Sequence, residues 1–362
     1  MAKSLVMDWQ AQFRRFSRAQ AQTEAQVKAW LERVESLSHL APRRRIRTPH
    51  GAPLSPRHPA PHLPGNWESH RLSLEPLAGE LVPRLSYHLY VPASAGQRFR
   101  GPLPLVVMLH GCRQTPDELA AGTRMNALAE REGFIVAYPQ QPLRRQLQRC
   151  WQWFDLADGE GGREAHAVAA LIETLSRRLD VREDQVFVAG MSAGAAMAAV
   201  VALRYPQLVA AVGLHSGVVV GEADNPHAGL RAMRHGSTAE PAWLLDAAGA
   251  TPGGPELPAI VVHGLDDDAV HPVNGHLLAR QFLAYNGLED GPGGISAARA
   301  RLPAGHFHEA RFGRWSRDLV TLVEVEGLGH AWSGGDGDYS YHSAVGPDAS
   351  AMMWEFFRGH RR

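Results

Sequence analysis

Two cysteines in 362 residues, Cys112 and Cys150, are too few for a disulfide framework. Nineteen histidines scatter along the chain, yet none falls in a His-Glu-x-x-His pattern and no Cys-x-x-Cys occurs, so no metal or other cofactor is expected. Charge of one sign is not in excess either. Lys+Arg and Asp+Glu both number 37, and a net charge of zero provides no global field to draw in nucleic acid or an anionic membrane. No apolar run approaches the ~20 residues of a transmembrane helix. Met1 to Ala41 has neither an apolar h-region nor a small-residue cleavage site, which makes the cytoplasm the expected address. What is present is an ordinary globular composition, 44% hydrophobic and 20% charged, long enough for one large core plus an appendage.

The chain divides into three textures. Residues 1–41 read as an amphipathic helical extension: Trp9, Phe13 and Phe16 share one face, and Val27, Trp30, Leu31, Val34 and Leu37 continue at helical spacing. Pro42 ends it. Residues 42–82, with six prolines between 48 and 66, read as a stiff linker. From residue 83 to 362, short apolar segments alternate with longer helical ones. Leu103 to Leu109, Phe134 to Tyr138, Val186 to Ala189, Ala210 to Leu214, Ala259 to Val262 and Leu319 to Val325 have strand character. Pro116 to Glu132, Glu164 to Leu179, His276 to Tyr285 and Asp348 to Phe357 have helix character. Residues 287–316 break this rhythm and read as a loop excursion. The alternation predicts an α/β fold with a mostly parallel sheet covered by helices on both faces.

Gly190-Met-Ser192-Ala-Gly194 lies between an apolar β-branched segment and an alanine-rich one. Strand, sharp turn and helix are the context that turns Gly-x-Ser-x-Gly into a nucleophile elbow, with Ser192 at its tip. A serine hydroxyl needs a base to take its proton and an acid to orient that base. In an open α/β sheet these sit on loops after later strands, in the order Ser, acid, His. The acid falls within Asp266-Asp267-Asp268; Asp267 has the Gly-x-x-Asp-x-x-Val spacing, and either neighbour could serve instead. The base is His330, behind Gly327 and Gly329, which free the backbone to turn the imidazole. Acyl transfer also needs donors for an oxyanion. Leu109-His110-Gly111-Cys112 follows an early strand, so the amides of Cys112 and Ala193 are the expected donors, with His110 bracing the loop.

These motifs together resemble the poly(3-hydroxybutyrate) depolymerase esterase family over about residues 85–358. The matching stretches are Leu109 to Cys112, Tyr138-Pro-Gln140, Cys150-Trp-Gln-Trp-Phe154, the elbow, His215-Ser-Gly217, His263 to Val270 and Gly329-His-Ala-Trp332. The resemblance implies an α/β-hydrolase fold and a serine esterase acting through an acyl-enzyme. It also implies that Cys112 and Cys150 lie close in space, as a disulfide or as two thiols. It suggests that Trp151, Trp153 and Trp332 wall the substrate site, Trp332 and Trp153 nearest. Gln152 stands where many members of the family carry asparagine. With no export signal or added binding domain, the chain resembles the intracellular branch, whose partners are polyester granules or soluble hydroxybutyrate oligomers. A feruloyl- or acetyl-type carboxylesterase would use the same catalytic residues. A granule-coating scaffold on an inactive hydrolase fold is a third reading, and the complete set of catalytic residues speaks against it.

Overall fold

The computed structural model describes residues 63–362, except 75–82, 97, 144–145, 158, 251–252, 289–297, 301–306 and 315–316. The expected helix at 1–41 and most of the expected linker lie outside the described residues.

The described residues build one ten-stranded sheet. Its strands are β1 (Asn66–Ser73), β2 (Arg84–Val91), β3 (Leu103–Leu109), β4 (Ile135–Gln140), β5 (Val181–Met191), β6 (Ala211–His215), β7 (Ala259–Gly264), β8 (Ala298–Ala300), β9 (Phe307–Arg314) and β10 (Arg317–Val325). The order across the sheet is β1-β2-β4-β3-β5-β6-β7-β10-β9-β8. The six central strands, β4 to β10 in that order, are parallel. Antiparallel pairs close both margins.

Strand β3 shows why the sheet takes helices on both sides. All seven of its residues are buried. Leu105, Val107 and Leu109 enter one hydrophobic cluster, while Val106 and Met108 enter the other. Alternate side chains of a strand point to opposite faces, so a continuous apolar run needs a core on each. Helices α3 (Glu160–Arg178), α4 (Ala193–Arg204) and α7 (Val273–Tyr285) contribute to the first cluster. Helices α1 (Pro116–Thr123), α2 (Met125–Glu132) and α8 (Ala349–Arg358) contribute to the second. Two further helices, α5 (Pro226–His235) and α6 (Pro241–Ala248), follow β6 and begin at prolines, where the missing N–H costs nothing.

Three expectations need correction. Asn66–Ser73, inside the expected linker of 42–82, is a strand paired along its whole length with β2. Its polar residues suit an edge strand, and six nearby prolines masked it in the sequence. The expected loop excursion of 287–316 contains β8 and β9, the latter paired with β10. Its charged, arginine-rich sequence hides the alternation because the strand lies near the sheet margin. The single helix expected over 116–132 is two, α1 and α2, broken at Arg124, whose φ is +54°.

Candidate active site

The carboxyl ends of the parallel strands all open on one edge of the sheet, and the expected site residues lie just beyond them. Ser192 follows β5, near the centre of the sheet. Its backbone sits at φ +56°, ψ −123°, a conformation that costs a non-glycine residue ~1–3 kcal/mol. Two glycines make this turn possible. A Cβ on Gly190 would collide with the Gly194 carbonyl, and one on Gly194 with the Leu109 carbonyl. The turn is further tied by the Ser192 amide, which donates to the His215 carbonyl at 2.9 Å. Helix α4 then runs back across the sheet, every residue from Ala193 to Leu203 buried. Its alanines keep it helical and narrow enough to lie close on the strands.

The loops after β7 and β10 lie against each other. The amide of Leu265 donates to the Val325 carbonyl and that of Asp266 to the Leu328 carbonyl. This pairing brings Asp267 to His330. The His330 Nδ1–H donates to Asp267 Oδ2 at 2.8 Å, and His330 Nε2 faces Ser192 Oγ at 2.9 Å. Of the three aspartates, Asp266 and Asp268 are exposed and only Asp267 is buried against the histidine. Its other oxygen accepts from the amides of Ala269 and Val270 at 3.0 and 2.8 Å. Burial alone would raise the Asp267 pKa. The His330 hydrogen bond, the charges of His330 and His263, and the Val270 amide outweigh it and hold the carboxyl below its usual value. His263 is anchored by its own bond from Nε2 to the Val270 carbonyl, 3.0 Å, and lies 3.5 Å from Asp267.

On the other side of the serine lies the loop after β3. A Cβ on Gly111 would stand 3.4 Å from the Ser192 Cβ, so this loop flanks the hydroxyl directly. The Gly111 amide donates to Gln114 Oε1 at 2.8 Å. His110 Nε2 accepts from the Gln141 amide at 3.1 Å, which places its proton on Nδ1, and that donates to the Gly111 carbonyl at 2.8 Å. Burial, reinforced by the Arg149 charge, lowers the His110 pKa to about 4 and keeps it neutral. Among the described residues, neither the Cys112 nor the Ala193 amide donates to a protein acceptor. Ala193 follows Ser192 in the chain, and Cys112 follows Gly111, which flanks it, so both amides are available to an anion at that side of the serine. Cys112 and Cys150 form a disulfide with their Cα atoms 4.2 Å apart. It joins the loop to the Cys150–Phe154 segment.

The three tryptophans expected around substrate are buried instead. Trp151 is 1% exposed, Trp153 3% and Trp332 0%. Each has an internal reason to stay there. The Trp151 indole N–H donates to the His110 carbonyl at 3.1 Å, and Trp332 donates to Ser350 Oγ at 3.2 Å. Trp153 packs edge-on against Phe154. An indole whose N–H finds an acceptor in the core gains nothing from the surface. Trp332 also stacks on His215, ring centroids 4.9 Å apart. His215, a residue without an assigned role in the sequence, links the elbow to the His330 loop. Its carbonyl holds Ser192, its Nε2 accepts from the Ser333 amide, and its Nδ1 faces Ser216 Oγ. Its place at the end of the strand next to the elbow strand was the available signal. Gln141 and Glu164, which hold the loop behind the disulfide, carried no recognisable motif. Among the described residues, no cluster of three or more His, Cys, Asp or Glu is placed to hold a metal ion.

Parallel sheet, flanking helices and a serine at the strand–helix elbow define an α/β-hydrolase. The same fold is found in an acetyl xylan esterase from Aspergillus awamori, at TM-score 0.60 and 21% identity over 76% of this chain and 94% of that one. An S-formylglutathione hydrolase from Agrobacterium tumefaciens matches at TM-score 0.50 and 14% identity, over 81% and 98% of the two chains. Within that class, the chain belongs to the Esterase PHB depolymerase family, whose match spans residues 85–304. It is 30% identical to a poly(3-hydroxyalkanoate) depolymerase C of Paucimonas lemoignei over 63% of this chain, and it spans about half (54%) of that relative's length. It is 30% identical to a probable acetylxylan esterase A of Aspergillus clavatus, over 73% of this chain and 87% of that one.

Proposed function

We propose that this protein is a serine hydrolase that cleaves the ester bonds of poly(3-hydroxybutyrate) or its oligomers. The observation that carries the proposal is His330 bridging Ser192 and Asp267 at 2.9 and 2.8 Å. Ser192 Oγ attacks the ester carbonyl as His330 Nε2 takes its proton. Asp267 holds the imidazole with Nε2 free to accept and steadies the imidazolium that forms. The carbonyl oxygen, now negative, lies against the Cys112 and Ala193 amides. His330 returns the proton to the departing hydroxyl group, leaving an acyl ester on Ser192. A water, activated by the same histidine, releases the acid. Because the reacting groups are neutral or internally paired before substrate arrives, little reorganisation precedes attack.

A second reading is an esterase for acetyl groups on a carbohydrate, favoured by the near-complete span of the acetylxylan esterase relative. Both use the same residues. Acid released from amorphous polyester granules, compared with acetate from acetylated xylan and turnover of methyl ferulate, separates them. A preference for acetylated xylan or methyl ferulate by orders of magnitude rules out the depolymerase reading. Fluorophosphonate labelling that survives in Ser192→Ala rules out the serine mechanism in either reading.

The polymer reading places the protein in the cytoplasm at granule surfaces, with residues 1–41 as the docking element. Disulfides are rare in a reducing cytoplasm. Alkylation of Cys112 and Cys150 in protein taken directly from cells therefore tests the location. Unaltered granule binding after deletion of residues 1–41 eliminates the docking role.

A further inference from the structure

Glu164 is a buried carboxylate on α3 with no cation paired to it among the described residues. Such a charge is costly, and desolvation raises its pKa to about 7 despite the hydrogen bonds it accepts. Those bonds all come from the two segments behind the active-site loop. Gln141 Nε2 donates to Oε1 at 2.5 Å, the Gln152 amide to Oε2 at 2.7 Å, and Gln152 Nε2 to Oε1 at 3.4 Å. Gln141 then leads to Cys112 by two routes. Its Nε2 also donates to the Cys150 carbonyl at 3.1 Å, and Cys150 is bonded to Cys112 through sulfur. Its own backbone amide donates to His110 Nε2, whose Nδ1–H holds the Gly111 carbonyl. That carbonyl and the Cys112 N–H belong to one peptide plane. In a trans peptide they point in opposite directions, so fixing the carbonyl aims the N–H.

We propose that Glu164 is a positioning residue for the oxyanion site: by clamping Gln141 it sets, through His110 and the disulfide, the direction of the Cys112 amide. The inference rests on the serine-esterase reading above. It gives a reason for keeping a lone carboxylate in the core, where an apolar residue would stabilise the fold more. An oxyanion donor contributes through its aim at the tetrahedral oxygen, and losing one such donor costs ~10²–10³ in kcat. Loosening its aim acts on the same step and leaves ground-state binding alone.

The test uses the full-length protein and Glu164→Gln, whose new amide N–H₂ faces donors that the carboxylate accepts from. Turnover of p-nitrophenyl butyrate is measured beside the affinity of an alkyl trifluoromethyl ketone, which adds to Ser192 and places an oxyanion at the same site. The expected result is a kcat about tenfold or more below wild type with KM within about twofold, and ketone affinity falling in step with kcat. Glu164→Asp, which keeps the charge, recovers part of the loss. A Glu164→Gln protein with kcat within about twofold of wild type overturns the proposal, as does a loss confined to KM. If that variant fails to fold, Gln141→Leu cuts the same clamp while Glu164 keeps Gln152; the same split supports the proposal and its absence overturns it. Ser192→Ala in parallel separates the two levels. Turnover within about tenfold of wild type there sinks the serine reading and the positioning role together. A dead Ser192→Ala beside a normal Glu164→Gln sinks the positioning role alone.

Discussion

The two flanks of Ser192 solve different problems. On the Asp267–His330 side a proton has to move, so the groups are ionisable and placed to exchange it. Asp267 stays charged in the core because amides and histidines surround it. On the Gly111–Cys112 side nothing should move. There His110 is held neutral and fixes the Gly111 carbonyl. Burial pushes up the pKa of both buried carboxyls, Asp267 and Glu164, and their partners decide the outcome. It is overcome at Asp267 by donors and opposing charges, whereas at Glu164 hydrogen bonds alone leave the carboxyl raised to about 7.

The largest effects should come from the proton-moving flank. Ser192→Ala or His330→Ala is expected to lower kcat about 10⁶-fold, measured on a soluble ester, with fluorophosphonate labelling lost. Asp267→Asn should cost about 10⁴-fold by presenting the wrong tautomer of His330. Asp266→Asn and Asp268→Asn should stay within about twofold, since both side chains face solvent. Equal losses at all three would erase the distinction drawn between them.

The static flank should respond in stability as well as in turnover. Cys112 and Cys150 are 38 residues apart, and opening that loop by Cys150→Ser should lower unfolding free energy by about 3–4 kcal/mol. Urea unfolding measures it. The pH dependence is smaller per group. His110 and His342 are each pushed to about 4 by burial, so the unfolded chain takes up their protons first as acid is added. Their contribution is complete above pH 6.5 and lost as pH falls toward 4, about 3 kcal/mol each. Glu164 runs the other way. Its raised pKa favours the fold below about 4.5 and that contribution is lost as pH rises through about 7. Urea unfolding from pH 8 to 4.5 should therefore show a net loss in acid, and a steeper one in Glu164→Gln. The smallest effect is expected at Trp332→Phe: about 1–2 kcal/mol from the lost Ser350 bond and volume, with KM unchanged. A raised KM there would return that tryptophan to the substrate site.

Much of the site was legible because its logic is local. An elbow needs two glycines four positions apart, and the acid and base must follow later strands in order. Choosing among three adjacent aspartates was not local. Their chemistry is identical, and only the packing of the β7 and β10 loops decides which one is buried. The tryptophans misled for a related reason. Trp151, Trp153 and Trp332 sit in motifs beside reacting residues, yet a large amphipathic ring can face either way, and the acceptors on His110 and Ser350 turn two of them inward. Strand β1 was hidden by the prolines before it and β9 by its charges, since edge strands are spared the apolar pattern that reveals central ones.

The sequence by itself determined the mostly parallel sheet and the strand–turn–helix setting of Ser192, and it pointed to His330, because periodicity and glycine spacing act over a few residues. Tertiary structure alone decided the burial of Asp267, the Cys112–Cys150 bond, the inward tryptophans and the clamp at Glu164. Those depend on segments far apart in the chain meeting in a medium that excludes water, where a hydrogen bond found or missed is worth far more than it is in solution.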